Sequence, residues 1–181
     1  MMHTPCLSIE VRRSRRSGPH AKILALVGVF GKKRFAISAT AGRPYASEIK
    51  LAEPLLKRLQ PAPGSYILGD KGFDCIRLLE LIKKKKCRPV IAIKESSRMA
   101  VRDPLRMLSR KNVANPRLYN RRTLIEGLFG NIKQKLSSHV RVFKLQIAQL
   151  FSLLRLALFN MSVLIHLEKT GLAWVMVFEQ R

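Results

Sequence analysis

The chain has 181 residues, the size of a single domain. Hydrophobic residues make up 47% of it, which is enough to form a core and excludes a disordered basic tail. With 35 Lys and Arg against 11 Asp and Glu, the formal net charge is +24. This charge predicts a polyanionic partner, with nucleic acid as the leading candidate.

The first third of the chain predicts a β-hairpin followed by a helix. Residues 22–29 and 34–40 are short runs typical of strands, and four residues separate them. Residues 46–59 carry isoleucine and leucine at helical spacing, with Ser47 placed to cap the first turn.

The next part predicts a strand, a helix and a second strand. Residues 66–69 form a compact apolar run that ends at Asp70, so the turn after this strand is expected to expose a carboxylate. Residues 75–84 are predicted to form a helix and residues 89–93 a buried strand. For Asp74, an N-cap of the following helix is favoured over metal binding.

Residues 95–118 lack a clear period, contain two prolines and are rich in arginine, which predicts a long basic loop. Helices are predicted at about 119–136 and 145–168. The second helix is apolar enough to be weighed as a membrane span, but Arg155 near its centre favours a buried core helix. The order of elements predicts an α/β fold with a mixed sheet.

Basic residues are concentrated in two regions. Residues 71–144 hold 20 Lys and Arg against 5 Asp and Glu, and a shorter run near the N-terminus contains Arg12, Arg13, Arg15 and Arg16. Each cluster alone is typical of a solvated face, but their occurrence together in one small domain favours contact with nucleic acid.

The predicted helix from Tyr119 onward places four functional side chains on one side. At 100° per residue, Tyr119, Arg122, Glu126 and Lys133 fall within an arc of about 60°. Glu126 is the only acid in this helix. One interpretation is an ordinary i,i+4 pair with Arg122, worth about 0.2–0.5 kcal/mol. The other is a functional carboxylate, and geometry alone leaves both open.

These residues match the Tyr-x2-Arg-x3-Glu-x6-Lys signature of insertion-sequence DDE transposases at every spacing. The segment 67–74 (ILGDKGFD) resembles the motif around the second catalytic Asp of that family. Residues 40–56 look like the linking segment before it, and residues 140–167 look like the closing helices. The resemblance covers most of the chain, with two separate motifs in the right order.

The resemblance implies an RNase H-like mixed sheet flanked by helices, and DNA cleavage and strand transfer at insertion-sequence ends. It makes Asp70 and Glu126 the catalytic ligands of a two-Mg²⁺ site. Arg122 and Lys133 would hold phosphates of the terminal DNA, and Tyr119 would stack on or hydrogen-bond the strand end. The implied partners are transposon-end and target DNA and a second copy of the chain in a homodimer, with no membrane. The implied location is the cytoplasm, associated with the nucleoid through DNA.

One departure from the family pattern concerns its first catalytic Asp, which lies on the first, central strand. No Asp precedes Asp70, and Glu10, beside the N-terminal arginine run, is the only acid before the hairpin. We therefore expect an N-terminally truncated catalytic domain over 1–168 that lacks this strand, with a tail over 169–181. Such a chain is expected to bind Mg²⁺ weakly, to be inactive alone, and to expose sheet edges that cause poor solubility or dimer formation.

Two other functions stay open at this stage. A non-catalytic basic DNA- or RNA-binding protein would share the size and charge but would not require Asp70 and Glu126. A small membrane-associated protein would use residues 145–167 as its anchor.

Overall fold

The structure, a computed structural model, describes residues 6–12, 21–30, 33–94, 102–136 and 144–169. Strands and helices alternate over much of the chain, with short 3-10 turns at Lys71–Phe73 and Asn120–Arg122. The strands are β1 (Cys6–Arg12), β2 (Lys22–Phe30), β3 (Lys33–Gly42), β4 (Tyr66–Gly69) and β5 (Arg88–Ile91). The helices are α1 (Glu48–Arg58), α2 (Ile76–Lys84), α3 (Pro104–Val113), α4 (Pro116–Tyr119), α5 (Thr123–Leu136) and α6 (Leu145–Lys169).

The five strands form one mixed sheet in the order β3-β2-β1-β4-β5. The β2–β3 hairpin and the β1–β2 pair are antiparallel, whereas β4 and β5 run parallel to β1. The predicted mixed α/β class is therefore confirmed.

The expectation that the first central strand is missing is wrong. β1 lies in the middle of the sheet, with Glu10 opposite Ala25 of β2 and Ile9 opposite Gly69 of β4. Pairing on both sides decides whether a segment forms a strand more strongly than its intrinsic propensity does. The arginine run begins only at the last residue of β1, so it does not interrupt this pairing.

The two faces of the sheet carry separate cores, because successive residues of a strand point to opposite sides. On β2, Leu24 and Leu26 pack into the cluster formed with α1 and α2. Ala25 and Val27 face the cluster formed with α5 and α6. The sheet is therefore covered by helices on both sides, with α5 on the face opposite α1 and α2.

The predicted long loop at 95–118 is wrong for residues 104–113 and 116–118, which lie in α3 and α4. The side chain of Asp103 accepts hydrogen bonds from the backbone N–H groups of Leu105 and Arg106, both at 3.0 Å. Pro104 occupies the first turn of α3, where its missing N–H costs nothing. An Asp-Pro pair thus begins a helix here, although the prolines suggested a loop.

Polar side chains from two helices bond the backbone of the edge strands, so the expectation of open edges is wrong at these positions. On β5, Ser109 of α3 accepts from Ile91 N and donates to Ile91 O, both at 2.8 Å, and Asn112 donates to Pro89 O. On β3, Asn160 of α6 accepts from Ala36 N at 2.9 Å and donates to Ala36 O at 2.7 Å. The Asn160 amide therefore bonds Ala36 as another strand would.

α6 is long and apolar enough to cross a membrane by length and composition. One side of it, including Leu156 and Phe159, belongs to the core. Its other side exposes leucines such as Leu150 and Leu164. The Asn160 bonds and the buried side attach α6 to the sheet. The predicted core helix is therefore confirmed for this side of α6 and not for the exposed side.

Replacing Asn160 with Leu is expected to lower the free energy of unfolding by about 1–3 kcal/mol, because the buried N–H and C=O of Ala36 lose their partners. Urea unfolding followed by circular dichroism measures the change. Gln149→Leu, on the same helix, is the matched control and is expected to change stability by about 0.5 kcal/mol or less. Equal effects of the two substitutions would show that the edge bonds do not stabilise the fold.

Candidate functional site

Asp70 stands at the carboxyl end of β4, as the sequence predicted. The strand before it is buried through Gly69, whereas the Asp70 side chain is 56% exposed. Its Oδ1 accepts a hydrogen bond from the backbone N–H of Lys71 at 2.8 Å, which begins the 3-10 turn. The fold thus presents one carboxylate at the end of a strand that is paired on both sides.

The segment 119–136 is not the single helix that the sequence predicted. α4 ends at Tyr119, a 3-10 turn covers Asn120–Arg122, and α5 begins at Thr123. The Thr123 hydroxyl donates to Asn120 O at 2.8 Å. Because Tyr119, Asn120 and Thr123 have right-handed helical dihedrals, the chain continues through the turn in a helical sense and Arg122 still precedes Glu126 by about one helical turn.

Arg122 joins the two halves of the site. Its guanidinium lies 5.3 Å from the centre of the Tyr119 ring, within the range of a cation–π contact. Its Nη1 is 3.4 Å from Asp70 Oδ1. Tyr119 is half-buried and packs against the small cluster of Leu68 and Val90. Residues about 50 positions apart in the chain are therefore brought together by direct contact.

Glu126 and Lys133 are both exposed on α5. Within the described part of the chain, Glu126 makes no hydrogen bond and no ion pair, and the i,i+4 pair with Arg122 does not form. Arg122 turns instead toward Asp70. The Glu126 carboxylate is thus available to a ligand rather than used in holding the helix.

The donor chemistry of Asp70 and Glu126 suits a hard divalent cation, because carboxylate oxygens are the ligands that Mg²⁺ prefers. Asp70 is exposed and paired only at 3.4 Å, so a cation can compete with Arg122 for it. Among the side chains that the structure describes, no group of three or more His, Cys, Asp or Glu forms a metal cluster. The register of β1 places the Glu10 backbone one residue beyond the Ile9–Gly69 pair, level with Asp70.

Asp74 has a different role from the predicted N-cap, because α2 is preceded by Cys75 and Asp74 ends the 3-10 turn. Its side chain is only 3% exposed. Arg106 of α3 donates to it from Nε at 3.0 Å and from Nη2 at 2.6 Å, and the Lys94 N–H donates at 2.8 Å. The bond to Asp74 raises the pKa of Arg106. Asp74 therefore fixes the turn that carries Asp70.

Sequence reasoning missed this bidentate pair, because Arg106 lies in the segment predicted to be a loop. Of the predicted DNA-binding arginines, Arg12 is the last residue of β1. Arg13, Arg15 and Arg16 lie outside the described residues.

Two comparisons with known proteins bear on this arrangement. The family model described as "Transposase DDE domain" matches residues 22–161. An uncharacterized protein of Aquifex aeolicus (strain VF5) is 29% identical over 151 residues, which are 82% of this chain and 47% of that protein. The chain thus spans about half the length of the curated relative that it matches.

Proposed function

Because the chain belongs to the transposase DDE domain family, we propose that it corresponds to the catalytic part of an insertion-sequence transposase, the part that cleaves DNA phosphodiesters and transfers strands. Asp70 and Glu126 are the proposed ligands of divalent metal ions, which domains of this family generally use. The observation that carries the proposal is the contact of Arg122 with both Asp70 and Tyr119, which unites the two motifs at one end of the sheet.

The sheet supports a finer proposal for the fold. An antiparallel β1-β2-β3 unit extended by two parallel strands, with helices on both faces, is the arrangement expected of an RNase H-like domain. In such a sheet, functional groups collect at the carboxyl ends of the parallel strands. Asp70 lies at this end, directly after β4.

A bound divalent cation would activate the attacking oxygen and stabilise the leaving oxygen of the phosphodiester. The chain's own residues prepare the DNA for that reaction. Arg122 neutralises Asp70 when no cation is bound and, once released, is placed to hold a phosphate. Lys133, two turns along α5 from Glu126, offers a second cation to the same strand. The Tyr119 ring can stabilise the Arg122 guanidinium through their cation–π contact.

We extend the proposal to the activity of the chain alone. Two carboxylates give fewer charged ligands than a complete site has, so divalent-cation affinity is weak and strand transfer by this chain is absent. The proposed partners are transposon-end and target DNA, bound as a homodimer in the cytoplasm and, through DNA, at the nucleoid. Exposed apolar side chains on α6 support contact with a second copy.

A second candidate function is a non-catalytic DNA- or RNA-binding protein. The observation that favours it is the net charge of +24. Under this function, reversing the charge of Glu126 leaves nucleic-acid affinity unchanged or raises it, and does not alter divalent-cation binding.

Arg122→Gln tests the proposed site, because it should change two affinities in opposite directions. Removing the cation that competes for Asp70 is expected to raise Mn²⁺ affinity by about 1.4-fold to fivefold, since double-mutant cycles give exposed ion pairs about 0.2–1 kcal/mol. Removing a phosphate contact is expected to weaken DNA binding by a similar factor. Electron paramagnetic resonance of free Mn²⁺ and fluorescence anisotropy of labelled duplex DNA measure the two effects.

Arg117→Gln is the control, because it removes the same charge from the exposed surface of α4. It should leave Mn²⁺ affinity unchanged. An Arg122→Gln protein with unchanged or weaker Mn²⁺ affinity would contradict the assignment of Asp70 as a metal ligand.

A further inference from the structure

A basic surface that does not include Asp70 lies where α5 and α6 meet the edge strand β3. It is a groove of about 410 Å³. The described residues that line it include three positively charged side chains and several polar groups but no carboxylate. They are Lys33, Arg34, Asn131, Lys135, Phe159, Ser162, Val163 and His166. A concave surface of one charge sign concentrates counter-ions more strongly than a flat one.

The groove lies on a different side of α5 from Glu126, which is one of the two proposed metal ligands. At 100° per residue, Asn131 and Lys135 lie about 140–180° around the helix from Glu126. Lys133, by contrast, lies within about 20° of Glu126 on the other side of the helix. α5 therefore presents two different faces to two different surroundings.

The groove's arginine packs against the surface of α5. The Arg34 guanidinium lies against Gly127, where any Cβ would collide with Nη1. A Cβ at this position would require only the flexible end of the Arg34 side chain to move, so the contact shows where the guanidinium lies on α5. The bonds between Asn160 and Ala36 hold α6 against β3 and so fix the opposite wall.

From this arrangement we propose that the groove binds the phosphodiester backbone of DNA at a distance from the reacting phosphate. Lysine and arginine supply the charge, whereas the Asn131 amide and the Ser162 hydroxyl supply neutral hydrogen bonds of the kind that phosphate oxygens accept. This inference rests on the proposed function for the identity of the polyanion, but its site and its test do not use Asp70 or Glu126.

The test compares the full chain with Lys33→Ala/Lys135→Ala in binding a labelled DNA duplex at several NaCl concentrations. The double variant is expected to bind about threefold to tenfold more weakly near 0.1 M salt. Its plot of log K against log salt is expected to flatten by about 0.9 for each phosphate that the variant no longer neutralises. Asn131→Glu, at an exposed position, is a second variant that places a carboxylate in the groove and should weaken binding while Asn131→Gln does not.

The matched control is Lys50→Ala/Lys84→Ala, which removes the same charge from α1 and α2 on the opposite face of the sheet. Equal affinities and equal salt slopes for the two double variants would overturn the proposal. Inorganic phosphate that displaces DNA no better than NaCl of equal ionic strength supports a backbone site, whereas specific displacement at low concentration would indicate a small-anion site and overturn it. An unchanged Mn²⁺ affinity in Asn131→Glu keeps this result distinct from a failure of the proposed function.

Discussion

Asp70→Asn is expected to reduce the affinity of the chain for Mn²⁺ by at least about tenfold, which corresponds to about 1.4 kcal/mol. The substitution keeps the shape of the side chain and removes the charge that a hard divalent cation requires. The carbonyl oxygen of the new amide can still accept the Lys71 N–H, so the turn after β4 should survive. Circular dichroism would verify the fold, and isothermal titration would measure the affinity.

Glu80→Gln serves as the control, because Glu80 is exposed on α2, which covers the face of the sheet opposite α5. It removes an equal charge and should change Mn²⁺ affinity little. Similar losses for the two variants would mean that the cation responds to net charge and not to a site at Asp70.

A second substitution of Asp70 decides whether the chain is inactive alone. We expect the purified chain to leave a duplex with matched inverted repeats intact in Mg²⁺. If the chain nicks this DNA and Asp70→Ala abolishes the nicking, then the inactivity is refuted and the metal site is supported. Nicking that persists in Asp70→Ala would point to a contaminating nuclease.

Asp74→Asn is expected to lower the free energy of unfolding by about 2–4 kcal/mol. Breaking one side of a buried, bidentate ion pair leaves a charge without its partner, and Arg106 is only 23% exposed. In a chain of this size the melting temperature should fall by about 5–12 °C. Chemical unfolding in urea gives the free energy directly.

A double-mutant cycle with Arg106→Gln isolates the pair. We expect a coupling energy within the range of about 0.5–3 kcal/mol that is found for contacting residues. Glu53→Gln is the control, because it removes a carboxylate that pairs with two exposed cations, Lys57 and Arg77. These two side chains lower the pKa of Glu53. Additive effects of Asp74→Asn and Arg106→Gln would show that the two side chains do not stabilise the fold together.

Much of the sheet and its helices follows from local sequence signals. Residues 66–69 are predicted as β4 with the bounds that the structure shows, because a short apolar run ends at Gly-Asp-Lys-Gly. The predicted Ser47 cap is confirmed, since its side chain accepts from Lys50 N. The predicted hairpin is also confirmed. It could be predicted because its two strands are neighbours in the chain and need no distant partner.

The features that the sequence did not reveal depend on distant partners. β1 runs directly into an arginine-rich segment, and it is held as a strand by pairing with both β2 and β4. α3 ends in a polar and basic sequence, and its register depends on Ser109 meeting β5 and Arg106 meeting Asp74. In the site, spacing placed Arg122 and Glu126 on one side of a helix but could not show that Arg122 turns to Asp70.

The two bonds between Asn160 and Ala36 couple the backbone of an edge strand to a helix 124 residues away along the chain. Hydrogen exchange at the Ala36 amide is therefore limited by separation of α6 from the sheet, since the amide is protected only while Asn160 is in place. The exchange rate of this single N–H reports whether α6, one wall of the basic groove, is packed against β3. It gives a residue-level probe of how firmly α6 is held, in a spectrum that needs no ligand, no metal and no substitution.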